Sequence, residues 1–267
     1  MKLRLFGFLA AAVMVLSGSP ASAHFQMLYT PDSAMTKPKA FDLKLVFTHP
    51  FEAGHTMNMG TPEEFFVVHK GRKKDLLNSL KEIEWKSLTN SGKAYEADFK
   101  PRGMGDWVFG LVPAPYYESN EDCYIQQMTK MMVNTVGIPT DWDSKLGLPA
   151  EIVPLDKPYG LWEGNVFRGE VLRNGEPVPY AEIEVEFLNH KPDMSENAFE
   201  EKAEVEAPQD CFVTQTIKAD KDGQFVYAVP HEGWWGFCAL GVGPETEYKG
   251  KELSQDAVIW VQAREMD

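Results

Sequence analysis

The chain has 267 residues, 43% of them hydrophobic and 12% aromatic, which is enough apolar matter for an ordinary packed core. Its 26 basic and 40 acidic side chains leave a formal net charge of −14, with no basic stripe interleaved with aromatics. Such a surface repels phosphate backbones and argues against nucleic-acid binding.

The first stretch carries Lys2 and Arg4, then the apolar run "LFGFLAAAVMVL", then "ASA". The run falls well short of the roughly 20 residues that span a bilayer. The small-x-small triplet is what leader peptidases cut, so residues 1–23 read as a cleavable signal peptide. The expected product is a periplasmic protein whose first residue is His24, and removing Lys2 and Arg4 makes it more acidic still. No later apolar run approaches membrane-spanning length.

From His24 onward nearly everything reads as short strands between turns. "AFDLKLVF" and "EFFVVHKG" are β-branched and aromatic, while "KEIEWKSL" and "KAYEADFKP" alternate apolar with charged residues at period 2. "KKDLLNSLK" has the composition of a helical turn or two, and "CYIQQMTKMMVNTVG" leans to strand. Residues 137–165, rich in Pro, Gly and Asp, look like a long inter-domain connection. After it come "VFRGEVLRNGEPVPYAEIEVEFL" and "CFVTQTIKADKDGQFVYAVPHEGWWGFCALG", hairpins turning at Asn-Gly and Asp-Gly, and a closing "AVIWVQA". The acidic stretch "HKPDMSENAFEEKAEVEAPQD", residues 190–210, reads as an exposed excursion.

The fold class is therefore all-β, in two β-sandwich-like domains: a metal-binding N-terminal domain over 24–158 and a C-terminal sandwich over 159–267. The latter resembles transthyretin-like and carboxypeptidase-regulatory-like sandwiches, on "NGEPVPYAEIEVEF" followed by "ADKDGQFVYAVP". Of Cys123, Cys211 and Cys238, the last two share the C-terminal half and are the pair to test for a disulfide. No CxxC, HExxH, P-loop or Gly-x-Ser-x-Gly pattern appears, which leaves hydrolase and nucleotide chemistry unsupported.

Six histidines remain to carry chemistry: His24, His49, His55, His69, His190 and His231. In "FTHPFEAGHTMNMG" His49 ends a strand, His55 follows past a loop, and Met57 and Met59 alternate behind it. The candidate metal set is His24, His49, His55 and Met57. As an N-terminal residue His24 would offer its α-amine and ring Nδ1 to one ion as a six-membered chelate, with a second histidine as third nitrogen. The reference pKa values, about 8 and about 6.5, let a metal displace both protons near neutral pH. Such nitrogen donors suit Cu(II), Ni(II) or Co(II). The rival motif with histidine third is excluded, because Gln26 stands there.

An ordered series of segments runs through the chain: "AHFQMLYTP", "VFTHPFEAGHTMNMG", "KKDLLNSLKEIEW", "GDWVFGLVPAPYYE", "TKMMVNTVG", "GLPAEIVPLDKPYGLWEGNVFRGEVLRNGEPVP", "PHEGWWGFCAL" and "ELSQDAVIWV". On these the mature chain resembles the family called domain of unknown function 4198, described as periplasmic components of nickel or cobalt uptake systems (NikK-like). The resemblance implies a non-enzymatic carrier of Ni(II) or Co(II), working with a membrane metal transporter; copper enters as a further ion from the nitrogen donors alone. It maps the opening histidine onto His24 and the "THP" histidine onto His49. His55 rests on local chemistry alone. The rivals are a copper histidine-brace monooxygenase and a metal-free structural or adhesion module of the envelope.

Overall fold

A computed structural model describes residues 24–266, so the expected signal peptide lies outside the described residues. Among the described residues there is no α-helix, only two short 3-10 turns at Leu77–Ser79 and Asp210–Phe212. "KKDLLNSLK" thus gives a strand at Arg72–Asp75 and one tight turn rather than an α-helix. The ambiguous "CYIQQMTKMMVNT" is a strand, Cys123–Thr135, with nearly every side chain buried.

The strands form three sheets. The first runs Phe25–Tyr29, Phe41–Thr48, Ser91–Phe99, Lys81–Lys86, Ala198–Ala203, His190–Asp193 in spatial order. The second is the largest, and its middle runs Glu182–Phe187, Gly233–Ala239, Lys251–Arg264, Cys123–Thr135, Gly105–Val112, Glu64–His69. The third is built on Val166–Arg173, paired with Ala150–Pro154 and Gln224–Ala228.

Side chains alternate across a strand, so the large sheet can serve two cores at once. Phe109, Leu111, Met131, Val133, Val258 and Trp260 join one cluster with Leu43, Leu45 and Phe99 of the first sheet. Their sequence neighbours Val108, Met132, Ile259 and Val261 join the other, with Ile152, Phe167 and Phe225 of the third sheet. Both sandwich-like cores therefore lean on one shared layer.

The expected divide at 158/159 is crossed by that layer. Lys251–Arg264 pairs in parallel with Cys123–Thr135 over eight residues, Tyr124↔Leu253 to Met131↔Trp260, and antiparallel with Gly233–Ala239. The proline-rich stretch 137–165 is no free linker either. Buried Asp106 accepts the N–H groups of Thr140, Asp141 and Trp142, and Ala150–Pro154 enters the second core. Glu151 accepts from Leu146, Gly147 and Leu148 and pairs with the buried ammonium of Lys130. Burying such a pair costs several kcal/mol per ion unless the remaining lone pairs are satisfied, and here backbone donors satisfy them.

The acidic excursion also differs from its sequence reading. His190–Asp193 and Ala198–Ala203 form a hairpin that docks on the first sheet through Ala198↔Lys86. Phe199 inserts beside Trp85 at 5.3 Å between ring centroids, in a T-shaped contact. That contact adds about 0.5–1.5 kcal/mol to the burial of both rings. Cys211 is exposed and Cys238 buried, and all three thiols are free, so the tested pairing is not made.

Candidate metal centre

The centre is set by strand register. Phe25–Tyr29 pairs with Phe41–Thr48 from Phe25↔Thr48 inward, and Thr56–Met57 pairs on the other side as Thr48↔Thr56 and Phe47↔Met57. Residues opposite one another in an antiparallel pair share a face. One step past these ends, the same register brings His24, His49 and His55 into a single row across three strand ends. The next row on the same face, two residues inward, is Gln26, Phe47 and Met57.

The first two rings meet. His24 and His49 stand edge to face with centroids 4.7 Å apart, and Phe47 tilts against His24 at 5.7 Å. His55 is the exposed member of the row. Met57 is 1% exposed and belongs to the first core, where the neighbouring Met59 sulfur lies 3.6 Å from the Gln26 amide.

Gln127, on the large sheet, fixes the start of the first strand. Its Nε2 donates to the His24 carbonyl at 2.7 Å and its Oε1 accepts the Gln26 N–H at 2.7 Å. These bonds satisfy backbone groups on the strand's unpaired edge, which would otherwise be buried without partners. Trp260 adds an indole N–H to the Gln26 carbonyl at 3.0 Å.

A residue that the sequence did not single out completes the surroundings. Glu118, on the short strand Tyr116–Glu118, is 6% exposed and lies 3.1 Å from Nε2 of His24. Its other oxygen accepts the Asn120 N–H. The run "YYESNED" is visibly acidic, but only the pairing Glu118↔Cys123 on the long strand carries it to His24.

Burial lowers the pKa of both rings. For His49 the value falls to about 4, through desolvation first and the neighbouring His24 and His55 second. For His24 desolvation also dominates, opposed by Glu118 and Glu121. Both imidazoles are therefore neutral at neutral pH, as nitrogen donors must be. A carboxylate only accepts hydrogen bonds, so the neutral His24 tautomer that pairs with Glu118 carries its hydrogen on Nε2 and its lone pair on Nδ1. This is the carboxylate–histidine arrangement that orients metal-binding imidazoles.

The other histidines do not join this group. His69 stacks on Trp107 at 3.8 Å and bonds the Asp106 carbonyl. His190 bonds the Glu200 carbonyl, and His231 that of Glu232. Among the described residues no group of three or more His, Cys, Asp or Glu side chains is arranged to hold a metal ion. Two side-chain nitrogens beside a backbone nitrogen at His24 are what the fold provides.

The model of the family described as "Domain of unknown function (DUF4198)" matches residues 21–243. No curated protein matches the chain. Among solved structures, the chain is similar to the D0-D1 domain of intimin at 12% identity and TM-score 0.24, covering 90% of this chain and 100% of that one. It is also similar to dimeric latent PorU from Porphyromonas gingivalis, at 10% identity and TM-score 0.24, covering 90% of this chain and 20% of that one. A DUF4785 family protein from Legionella pneumophila aligns at 9% identity and TM-score 0.29, over 79% of this chain and 50% of that one.

Proposed function

This chain belongs to the DUF4198 family, and from that premise we propose that it is a periplasmic metal-binding protein. It takes Ni(II) or Co(II) at the mature N-terminus and passes the ion to a membrane uptake transporter. The donors are the α-amine and Nδ1 of His24, exposed as a pair by cleavage after Ala23, and the imidazole of His49. His55 is the first ring an arriving ion meets, and Met57 stays in the core.

One observation carries the reading: two neutral, largely buried imidazoles stand 4.7 Å apart, and the one at the expected chain start has Nε2 held by a carboxylate. That contact fixes the tautomer and ring orientation before any ion arrives, and Glu118 and Glu121 add negative charge beside a cationic cargo.

The test is calorimetric titration of Ni(II), Co(II) and Cu(II) into protein whose first residue is His24, followed by peroxide-driven oxidation assays of the copper-loaded form. Stoichiometric binding without turnover supports the carrier reading. Nitrogen donors favour copper over the other divalent ions, so tight copper binding alone does not define the cargo. Turnover would replace the reading with an oxidative enzyme, and no binding of any of the three ions would overturn it.

A further inference from the structure

Lys44 sits in the middle of Phe41–Thr48 and is 2% exposed, between Leu43 and Leu45, both fully buried. Its register partners are Tyr29 on one side and Glu96 on the other. Its Nζ lies 2.6 Å from the Glu96 carboxylate and 2.5 Å from Oδ1 of Asn197. Asn197 comes from the tip of the docked hairpin, more than 150 residues later in the chain. Two anchors aim it. Its carbonyl accepts the Lys86 N–H at 2.8 Å, and its backbone takes the left-handed φ of 51° that asparagine tolerates better than most residues. Phe199, two residues on, is locked against Trp85.

Lys44 thus holds its amine against both a carboxamide and a carboxylate, which are the reactants and the proton carrier for amide exchange. We propose that this protein forms an intramolecular isopeptide bond between Lys44 and Asn197, with Glu96 as the catalytic residue. Glu96 takes a proton from the Lys44 ammonium, and the freed Nζ lone pair attacks Cγ of Asn197. The Nζ–Cγ bond forms and the Cγ–Nδ2 bond breaks. The two protons that Nζ gives up pass through Glu96 to the departing nitrogen, which leaves as ammonium, and the carboxylate is regenerated. No oxidant, reductant or other reactant is needed.

Two physical terms drive the step. Holding amine and carboxamide together replaces an encounter in water by a positioned contact, which is worth several orders of magnitude in effective concentration. The product is also a neutral amide where a buried ammonium stood, so the desolvation cost of that cation disappears.

The test is mass spectrometry on the folded wild-type protein, read against a Lys44→Arg variant made the same way. Wild type is expected to be one ammonia lighter than its sequence. Trypsin should miss the cleavage after Lys44, and the Lys44 peptide should be recovered joined to the Asn197 peptide. Glu96→Gln, which keeps both joined residues, should give the full sequence mass. Folded wild type at full sequence mass, or Asn197 recovered as aspartate in a separate peptide, would overturn the proposal. A joined peptide in Glu96→Gln would overturn the role of Glu96.

Discussion

The imidazole of His24 meets that of His49 edge to face, 4.7 Å between centroids, because the strand register sets the residue before Phe25 opposite the residue after Thr48. If these rings supply nitrogen to one ion, His49→Ala removes a donor and leaves the chelate at His24. Ni(II) affinity should fall about 100-fold or more, about 3 kcal/mol, with an unchanged circular-dichroism spectrum. His231→Ala, at a ring bonded to the neighbouring Glu232 carbonyl, should bind like wild type. Calorimetric titration reads both, and equal losses would show that the centre lies elsewhere.

Glu118 touches no ion in this scheme and acts through the ring it holds. Removing such a partner typically costs about 10–100-fold in metal affinity, and Glu118→Ala should fall in that range. Glu118→Gln, whose amide oxygen still accepts the Nε2 hydrogen, should recover most of the loss. If both variants bind like wild type, the 3.1 Å contact at His24 is irrelevant to the centre.

Chain processing makes a separate prediction. A protein carrying one methionine ahead of His24 keeps the imidazole but turns the nitrogen of His24 into an amide, which does not deprotonate near neutral pH. The chelate is lost while the strands are untouched. Ni(II) should bind the cleaved form more tightly by orders of magnitude at the same pH, and matching isotherms would exclude the amine as a donor.

Stability should carry a signature from Glu186. Burial pushes its carboxyl up to about 8, against 4.5 for the free group, with bonds from Thr214 and the Phe51 N–H only partly opposing it. The folded state therefore holds a proton that the unfolded state releases. The contribution is complete below about pH 4.5 and is lost as pH rises toward 8, on the order of a few kcal/mol. Urea midpoints measured from pH 5 to 8 should show this slope, and Glu186→Gln should reduce it, leaving the part that half-buried Glu184, raised to about 7, contributes.

The docked hairpin can be tested through its anchor. Phe199→Ala leaves a void against Trp85 and should cost about 3–5 kcal/mol in chemical denaturation. A cost below 1 kcal/mol would mean that the hairpin contributes little to the first core.

The strands of this protein were legible because they follow local rules. Lys81–Lys86 alternates as written, with Ile83 and Trp85 turned inward, and Asn174-Gly175 turns a hairpin with both residues at positive φ, as its sequence asks. His24 and His49 were legible as a pair because each sits at a strand end. What the sequence hid depends on partners far along the chain. Glu118 reaches His24 only through a strand that pairs elsewhere, and Met57, read as a soft donor, is 1% exposed in the core. Residues 190–210 look solvated because their charges are local, while the contacts that dock them, at Trp85 and Lys86, lie more than 100 residues away. The same distance hid the shared sheet: nothing in 251–264 says that its neighbour is 123–135.

That shared sheet fixes an order of events. Lys251–Arg264 is an interior strand, between Gly233–Ala239 and Cys123–Thr135, and Trp260 reaches back to the carbonyl of Gln26. A nascent chain stopped anywhere before residue 251 has a gap in the layer on which both cores rest. The earlier strands then carry open edges, the state most prone to mispairing and capture by other chains. Contacts of such long sequence separation make for slow closure. Closure of both cores therefore waits until residues 251–264 are available to fill that gap, however early the other strands are made.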